Sequence, residues 1–282
     1  MKEITNKIFE SERALYGSLG VKLINCRFAG EEDGESALKE SRDVVAENCF
    51  FDLRYPFWHD TGVRINDSEF SENCRAALWY SKDVEVDNTK LHGIKALREC
   101  SNVVITGCDI VSAEFGWFTN VVKMSDTSVF GEYFMMRSSG LKFSNVELSG
   151  KYSFQYIADS VFENCTFNTK DAFWHAKNVT VRNSVVNGEY LAWYAENITF
   201  ENCKISGTQP LCYCRGLKLI NCEMTGADLA FEKSEVEATL CAPVISIKNP
   251  ASGFVRLPFA EQIIIDDEKS KCKIVEIEKT IT

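Results

Sequence analysis

Apolar and polar residues alternate in short runs that return every nineteen residues. Val179-Thr-Val-Arg-Asn183, Ile198-Thr-Phe-Glu-Asn202 and Leu217-Lys-Leu-Ile-Asn221 are three copies of one phrase. Alternation with period two predicts a strand with one buried and one wet face. Asn, Asp or Gly closes each run (Asn25, Asn48, Asp67, Asn88, Gly107, Asp126, Asn145, Asn164, Asn183, Asn202, Asn221). These residues tolerate a left-handed backbone, so the column predicts a corner, with amides able to hydrogen-bond along it. Three residues on stands a second apolar column (Phe28, Phe51, Phe70, Val186, Ile205), and glycines mark a turn two residues later. A third short strand brings an inward column ten residues before the next corner (Phe57, Leu78, Leu97, Phe154, Phe173). Three short strands and three turns in nineteen residues predict a coil of a parallel β-helix, which needs neighbours to bury its apolar face. Parallel crossovers take the right hand.

The expected fold is therefore all-β, a single-stranded right-handed parallel β-helix of about twelve coils of ~19 residues with terminal caps. Residues 1–243 carry the coils and 244–282 add strands capping the same domain. The longer intervals from Asn25 to Asn48 and from Asp67 to Asn88 place small insertions at Glu31–Gly34 and Glu69–Cys74. A left-handed β-helix would need a strict hexad count, and a leucine-rich repeat its Leu-x-x-Leu-x-Leu phrase. Neither is present.

Composition adds limits. The formal charge of −10 argues against nucleic acid or an anionic membrane as partner. The opening residues lack a signal peptide's apolar core, and no apolar run is long enough to span a bilayer, so a cytoplasmic protein is expected. Of twelve cysteines, Cys26, Cys49, Cys108, Cys165, Cys203, Cys222 and Cys241 fall just after the corner, a slot shared with Ser, Thr and Val. That slot wants a small buried side chain, so these are expected to be reduced core residues. Cys212 and Cys214 do not have zinc spacing, and neither metal nor cofactor is expected.

All five tryptophans (Trp58, Trp79, Trp117, Trp174, Trp193) stand nine residues before a corner, in a column that also holds Lys39 and Arg98. The next column holds Glu40, His59, Tyr80, Glu99, Phe118, Arg137, Tyr156, His175, Tyr194 and Tyr213. Strict alternation would turn one column inward although both carry charges, so a bend between them is expected. Aromatic rings interleaved with polar groups suit a sugar, which has an apolar face and a hydroxyl rim. The expected ligand contacts are Trp58, Trp79, Arg98, Trp117, Tyr156, Trp174, Trp193 and Tyr194. If there is catalysis, His59, Glu99, Arg137 and His175 are its candidates. A lyase needs one base with charge neutralisation, and a hydrolase needs two suitably spaced carboxyls. The competing reading is an aromatic ladder that only staples coils together, on a non-catalytic scaffold that docks a protein partner or a second copy.

The chain resembles the pectin-lyase-like right-handed β-helices. It is most similar to a bacterial family known as domain of unknown function 3737. The phrases that carry this are Glu12-Arg-Ala-Leu-Tyr-Gly17, Gly34-Glu-Ser-Ala-Leu-Lys-Glu-Ser41, Leu53-Arg-Tyr-Pro-Phe-Trp-His59, Cys74-Arg-Ala-Ala-Leu-Trp79, His92-Gly-Ile-Lys-Ala-Leu-Arg-Glu99 and Phe173-Trp-His-Ala-Lys-Asn178. The resemblance implies the fold and no established activity. The Gly-His-Gly turn of pectin-degrading enzymes is absent. The functional expectation is carbohydrate or glycoconjugate recognition or processing, with a lyase, hydrolase or isomerase activity if the protein is an enzyme.

Overall fold

The computed structural model describes residues 1–30 and 35–277. The expected insertion at Glu31–Gly34 lies outside the described residues. The chain is an all-β parallel solenoid of about 14 turns rather than twelve. Lys2–Thr5 forms an additional first coil, and Ser252–Leu257 and Lys273–Glu276 add coils beyond the last corner asparagine. The chain divides into two compact units, residues 1–147 and 148–282.

In unit 1, Lys2–Thr5, Leu19–Ile24, Arg42–Glu47, Thr61–Asn66, Lys82–Asp87 and Ser101–Thr106 pair successively in parallel. The register stacks like on like, Val44 on Val63 and Val84 on Val103. Phe28, Phe51 and Phe70 are fully buried in the column after the corner, with centroids 4.8 and 4.5 Å apart. In unit 2, Ala158–Glu163, Lys177–Arg182, Glu196–Glu201, Leu217–Cys222, Glu235–Leu240, Ser252–Leu257 and Lys273–Glu276 continue the same plan. Phe162, Val181, Phe200 and Leu219 fill its core.

The corner is left-handed as expected, with φ between 44° and 54° at its asparagines and aspartates. Amide bonds run along it, for example Asn48 Nδ2 to Asn25 Oδ1 at 2.7 Å and Asn221 Nδ2 to Asn202 Oδ1 at 2.8 Å. A second left-handed column stands five residues earlier, with a ladder of its own. There Asn102 donates to Asp83, and Asn178 to Asp159. Val121 occupies this second column at φ 56°. A β-branched residue is strained there by about 1–2 kcal/mol. Val121→Asn is therefore expected to stabilise the protein by about 1 kcal/mol, read as a higher urea midpoint at unchanged slope.

Two expectations need correction. The third strand is a regular pair of residues at Phe57–Trp58, Leu78–Trp79 and Leu97–Arg98, but Phe154 and Phe173 sit in turns at φ 60°. Their rings still point inward and are fully buried. Cys241 is exposed, not a core residue. A bulge between Ile220 and Cys222 shifts the register, so Leu240 stands beside Cys222 and takes the buried slot. Cys49, Cys100, Cys108, Cys212 and Cys214 are buried thiols, and burial pushes them up to about 11 or 12. Thiols held protonated in this way are poor nucleophiles.

Candidate functional site

The bend between the tryptophan column and its neighbour is present in every coil that carries them. Glu40, His59, Tyr80, Glu99, Phe118, Arg137, Tyr156, His175, Tyr194 and Tyr213 all have φ between 52° and 62°. A left-handed residue here cancels the alternation of a strand. Consecutive side chains then share the outer wall: the indole half-buried, the next residue forming a rim outside it.

In unit 1 the parallel register places Trp58, Trp79, Arg98 and Trp117 directly over one another. Trp58 and Trp79 are stacked with centroids 5.6 Å apart and planes 11° apart. Lys39 Nζ lies 4.3 Å from the Trp58 centroid, and the Arg98 guanidinium carbon lies 5.8 Å from Trp79 and 5.0 Å from Trp117. Lys39 and Arg98 are thus members of the stack, held by cation–π attraction. Arg98 is also paired with Glu99 at 3.3 Å and Glu114 at 3.6 Å. Glu99 in turn accepts from Trp79 Nε1 at 3.4 Å. The rim column brings His59, Glu99 and Arg137 into one row, spaced two coils apart, with Tyr80 and Phe118 between them. His59 stacks on Tyr80 at 4.8 Å, while Phe118 is 43% exposed and edge-on to Trp117.

In unit 2, Trp174 and Trp193 stack at 5.5 Å with planes 4° apart. Their indole N–H groups donate to the carbonyls of Tyr190 at 2.6 Å and Gln209 at 2.8 Å. Trp117 does the same to Tyr133 in unit 1 at 2.6 Å, and Gln155 to Asp171 at 3.1 Å in unit 2. Each donor reaches a backbone carbonyl of the following coil, a staple that satisfies the N–H and fixes the ring. The rim beside Trp174 and Trp193 is a four-membered stack. Tyr156–His175, His175–Tyr194 and Tyr194–Tyr213 are 4.9, 5.1 and 4.9 Å apart, with planes within 13°. Near-parallel rings this close are stacked, and Tyr156 and Tyr194 are still 43% and 44% exposed.

Sequence reasoning missed the third side of this wall. Tyr133 and Tyr190, twelve residues before a corner, meet Trp117 and Trp193 edge-on. The same nineteen-residue count would have found them. It also missed that Lys39, Arg98 and the neighbouring indole cover the faces of Trp58 and Trp79.

A family model matches residues 2–278. The chain belongs to the family described as a protein of unknown function, DUF3737. No curated protein matches it. Solved structures similar to the chain include the A-module of the mannuronan C-5 epimerase AlgE4 of Azotobacter vinelandii, at 11% identity and TM-score 0.31, covering 83% of this chain and 86% of that one. PfbA, a surface adhesin of Streptococcus pneumoniae, is 10% identical with TM-score 0.42, covering 98% and 83%. The tailspike of E. coli bacteriophage HK620, solved with a hexasaccharide, is 9% identical with TM-score 0.34, covering 92% and 59%. At these identities and scores no activity transfers to this chain. No helix among the described residues is long and apolar enough to cross a membrane.

Proposed function

We propose that the protein recognises an extended glycan, without turning it over, along the rim column of unit 2. The observation that carries this reading is the stack of Tyr156, His175, Tyr194 and Tyr213 at 4.9–5.1 Å intervals. Each ring edge offers a hydroxyl or an imidazole nitrogen, groups that can both donate and accept, as sugar hydroxyls do. One such group per coil, at a step close to the advance of one pyranose, lets successive sugars meet equivalent partners. Tyr194 is 44% exposed, and its hydroxyl makes no hydrogen bond among the described residues. Recognition is favoured over hydrolysis because the two rim carboxylates of unit 1 are already engaged, Glu40 by the Tyr16 hydroxyl and Glu99 by Arg98 and Trp79. The tryptophans then serve as staples that hold the rim in register, and their half-buried edges add apolar contact.

Tyr194→Phe keeps the stack and removes one hydroxyl. On a panel of immobilised glycans, the chain should retain one class of extended glycan, and this variant should bind it three- to tenfold more weakly, the worth of one hydrogen bond, about 0.5–1.5 kcal/mol. Retention of no glycan by the wild type, or identical binding by the variant, rejects the reading. A stable dimer in solution alongside an empty panel would favour the scaffold instead.

A further inference from the structure

The outer face of the long strands in unit 1 breaks a charge rule that the solenoid otherwise keeps. Three residues before the corner, Lys22 reaches Glu47 at 3.0 Å, Arg64 reaches Glu85 at 3.1 Å and, in unit 2, Lys218 reaches Glu237 at 3.7 Å. Each cation in those coils meets a carboxylate one coil away, Arg64 and Lys218 directly across the rung and Lys22 on the diagonal, which stabilises the pairing. Lys123 and Lys142 occupy the same column in successive coils and are both exposed. Neither has an acidic partner among the described residues. Like charges in neighbouring rungs repel, so the pair costs stability where it stands.

The two lysines flank a shallow pocket of about 350 Å³ that is also lined by Thr106, Ser125 and Ser144. These hydroxyls are half-buried, come from three successive coils, and make no hydrogen bond among the described residues. Glu85 and Asp87 stand one coil before Val104 and Thr106, outside the lining, and Glu85 is taken up by Arg64. Asp126, next to Ser125, accepts the Asn145 amide at 2.9 Å.

We propose that this pocket binds a tetrahedral oxyanion, a phosphate or sulfate group, with room for the small molecule that carries it. Two ammonium groups supply point charges and the three hydroxyls supply donors, the combination that holds such anions without a helix terminus. A bound oxyanion replaces the missing carboxylates and relieves the repulsion between the lysines. The site is separate from the rim column, so the fate of the glycan reading does not decide it.

The test is calorimetric titration of the full chain with inorganic phosphate, a hexose 6-phosphate and the neutral hexose, at constant ionic strength. Saturable binding of the phosphate compounds but not of the hexose supports the site. Equal affinity for the two assigns recognition to the anion alone, and tighter hexose 6-phosphate binding extends it to the sugar. Lys123→Glu restores the paired rung. It should bind phosphate more than tenfold more weakly while its thermal midpoint is unchanged or raised. Lys142→Gln should lose affinity as well. No saturable response of the wild type to either phosphate compound, or wild-type affinity in Lys123→Glu, overturns the proposal.

Discussion

Replacing Asp60 by serine should make the protein more stable at pH 8 by roughly 3–5 kcal/mol and change it little at pH 4. Asp60 is 1% exposed and stands in a column of small residues, with Ser41 in the coil before and Ser81 in the coil after. Its Oδ1 accepts the Ser41 N–H at 2.8 Å, as Ser81 Oγ accepts the Asp60 N–H at 3.3 Å. Its Oδ2 is buried with no partner among the described residues. Burial pushes the Asp60 carboxyl up to about 8, against the lowering effect of its backbone hydrogen bonds. Between about pH 4 and pH 8 the folded chain thus holds a proton that the unfolded chain has released, and stability falls as pH rises through that window. The slope is about 1.4 kcal/mol per pH unit for one proton, and it vanishes below the window and above it. A serine keeps the hydrogen-bonded ladder and removes the orphan oxygen, and the volume it gives up costs about 1 kcal/mol. Urea titrations of both proteins at pH 5 and pH 8 decide the matter. Parallel loss of stability with pH in the two proteins would place the titrating group elsewhere.

Much of this architecture was legible in the sequence because a parallel β-helix converts sequence period directly into stacked columns. Val63, Val84 and Val103 share one column in the sequence and one buried column in the structure. The bend beside the tryptophans was readable too, from the impossibility of burying Arg98 and Glu99 on opposite sides of a strand. The coil count fell short at both ends, for different reasons. Asn6 stands nineteen residues before Asn25 and accepts its amide, so the corner period reaches one coil further back than the column that starts at Asn25, whereas no corner asparagine marks the strands Ser252–Leu257 and Lys273–Glu276. The second ladder was hidden because glycine and Val121 interrupt its asparagines.

For the candidate site, the column positions were legible and the ring orientations were not. Lys39 and Arg98 among the tryptophans suggested a ligand surface, yet both lie on indole faces. A cation at coil spacing from an aromatic face meets the same attraction whether or not a ligand exists, so composition alone could not separate the two cases. The exposed, repeating feature is the rim, whose tyrosines and histidine looked in the sequence like companions of the tryptophans.

The glycine column five residues after the corner gives the second large effect, and it separates two reasons for glycine that sequence cannot distinguish. A Cβ built on Gly207 would overlap the Gly188 carbonyl of the preceding coil, at a backbone φ of 128°. The obstacle is backbone, paired on both sides, so no side-chain rotation can relieve it. Gly226 holds the same place in the sequence repeat at φ 83°, but a one-residue shift sets Ala227 beside Gly207, and a Cβ on Gly226 would meet nothing within 4 Å. Gly207→Ala is therefore expected to cost roughly 3–5 kcal/mol, combining overpacking with backbone strain, whereas Gly226→Ala should cost only about 1 kcal/mol from strain alone. Denaturant midpoints of the two variants, measured side by side, read the difference. Equal costs would mean that neighbouring coils can slide apart to admit a methyl group, and the solenoid would then be far softer along its stack than its paired backbone implies.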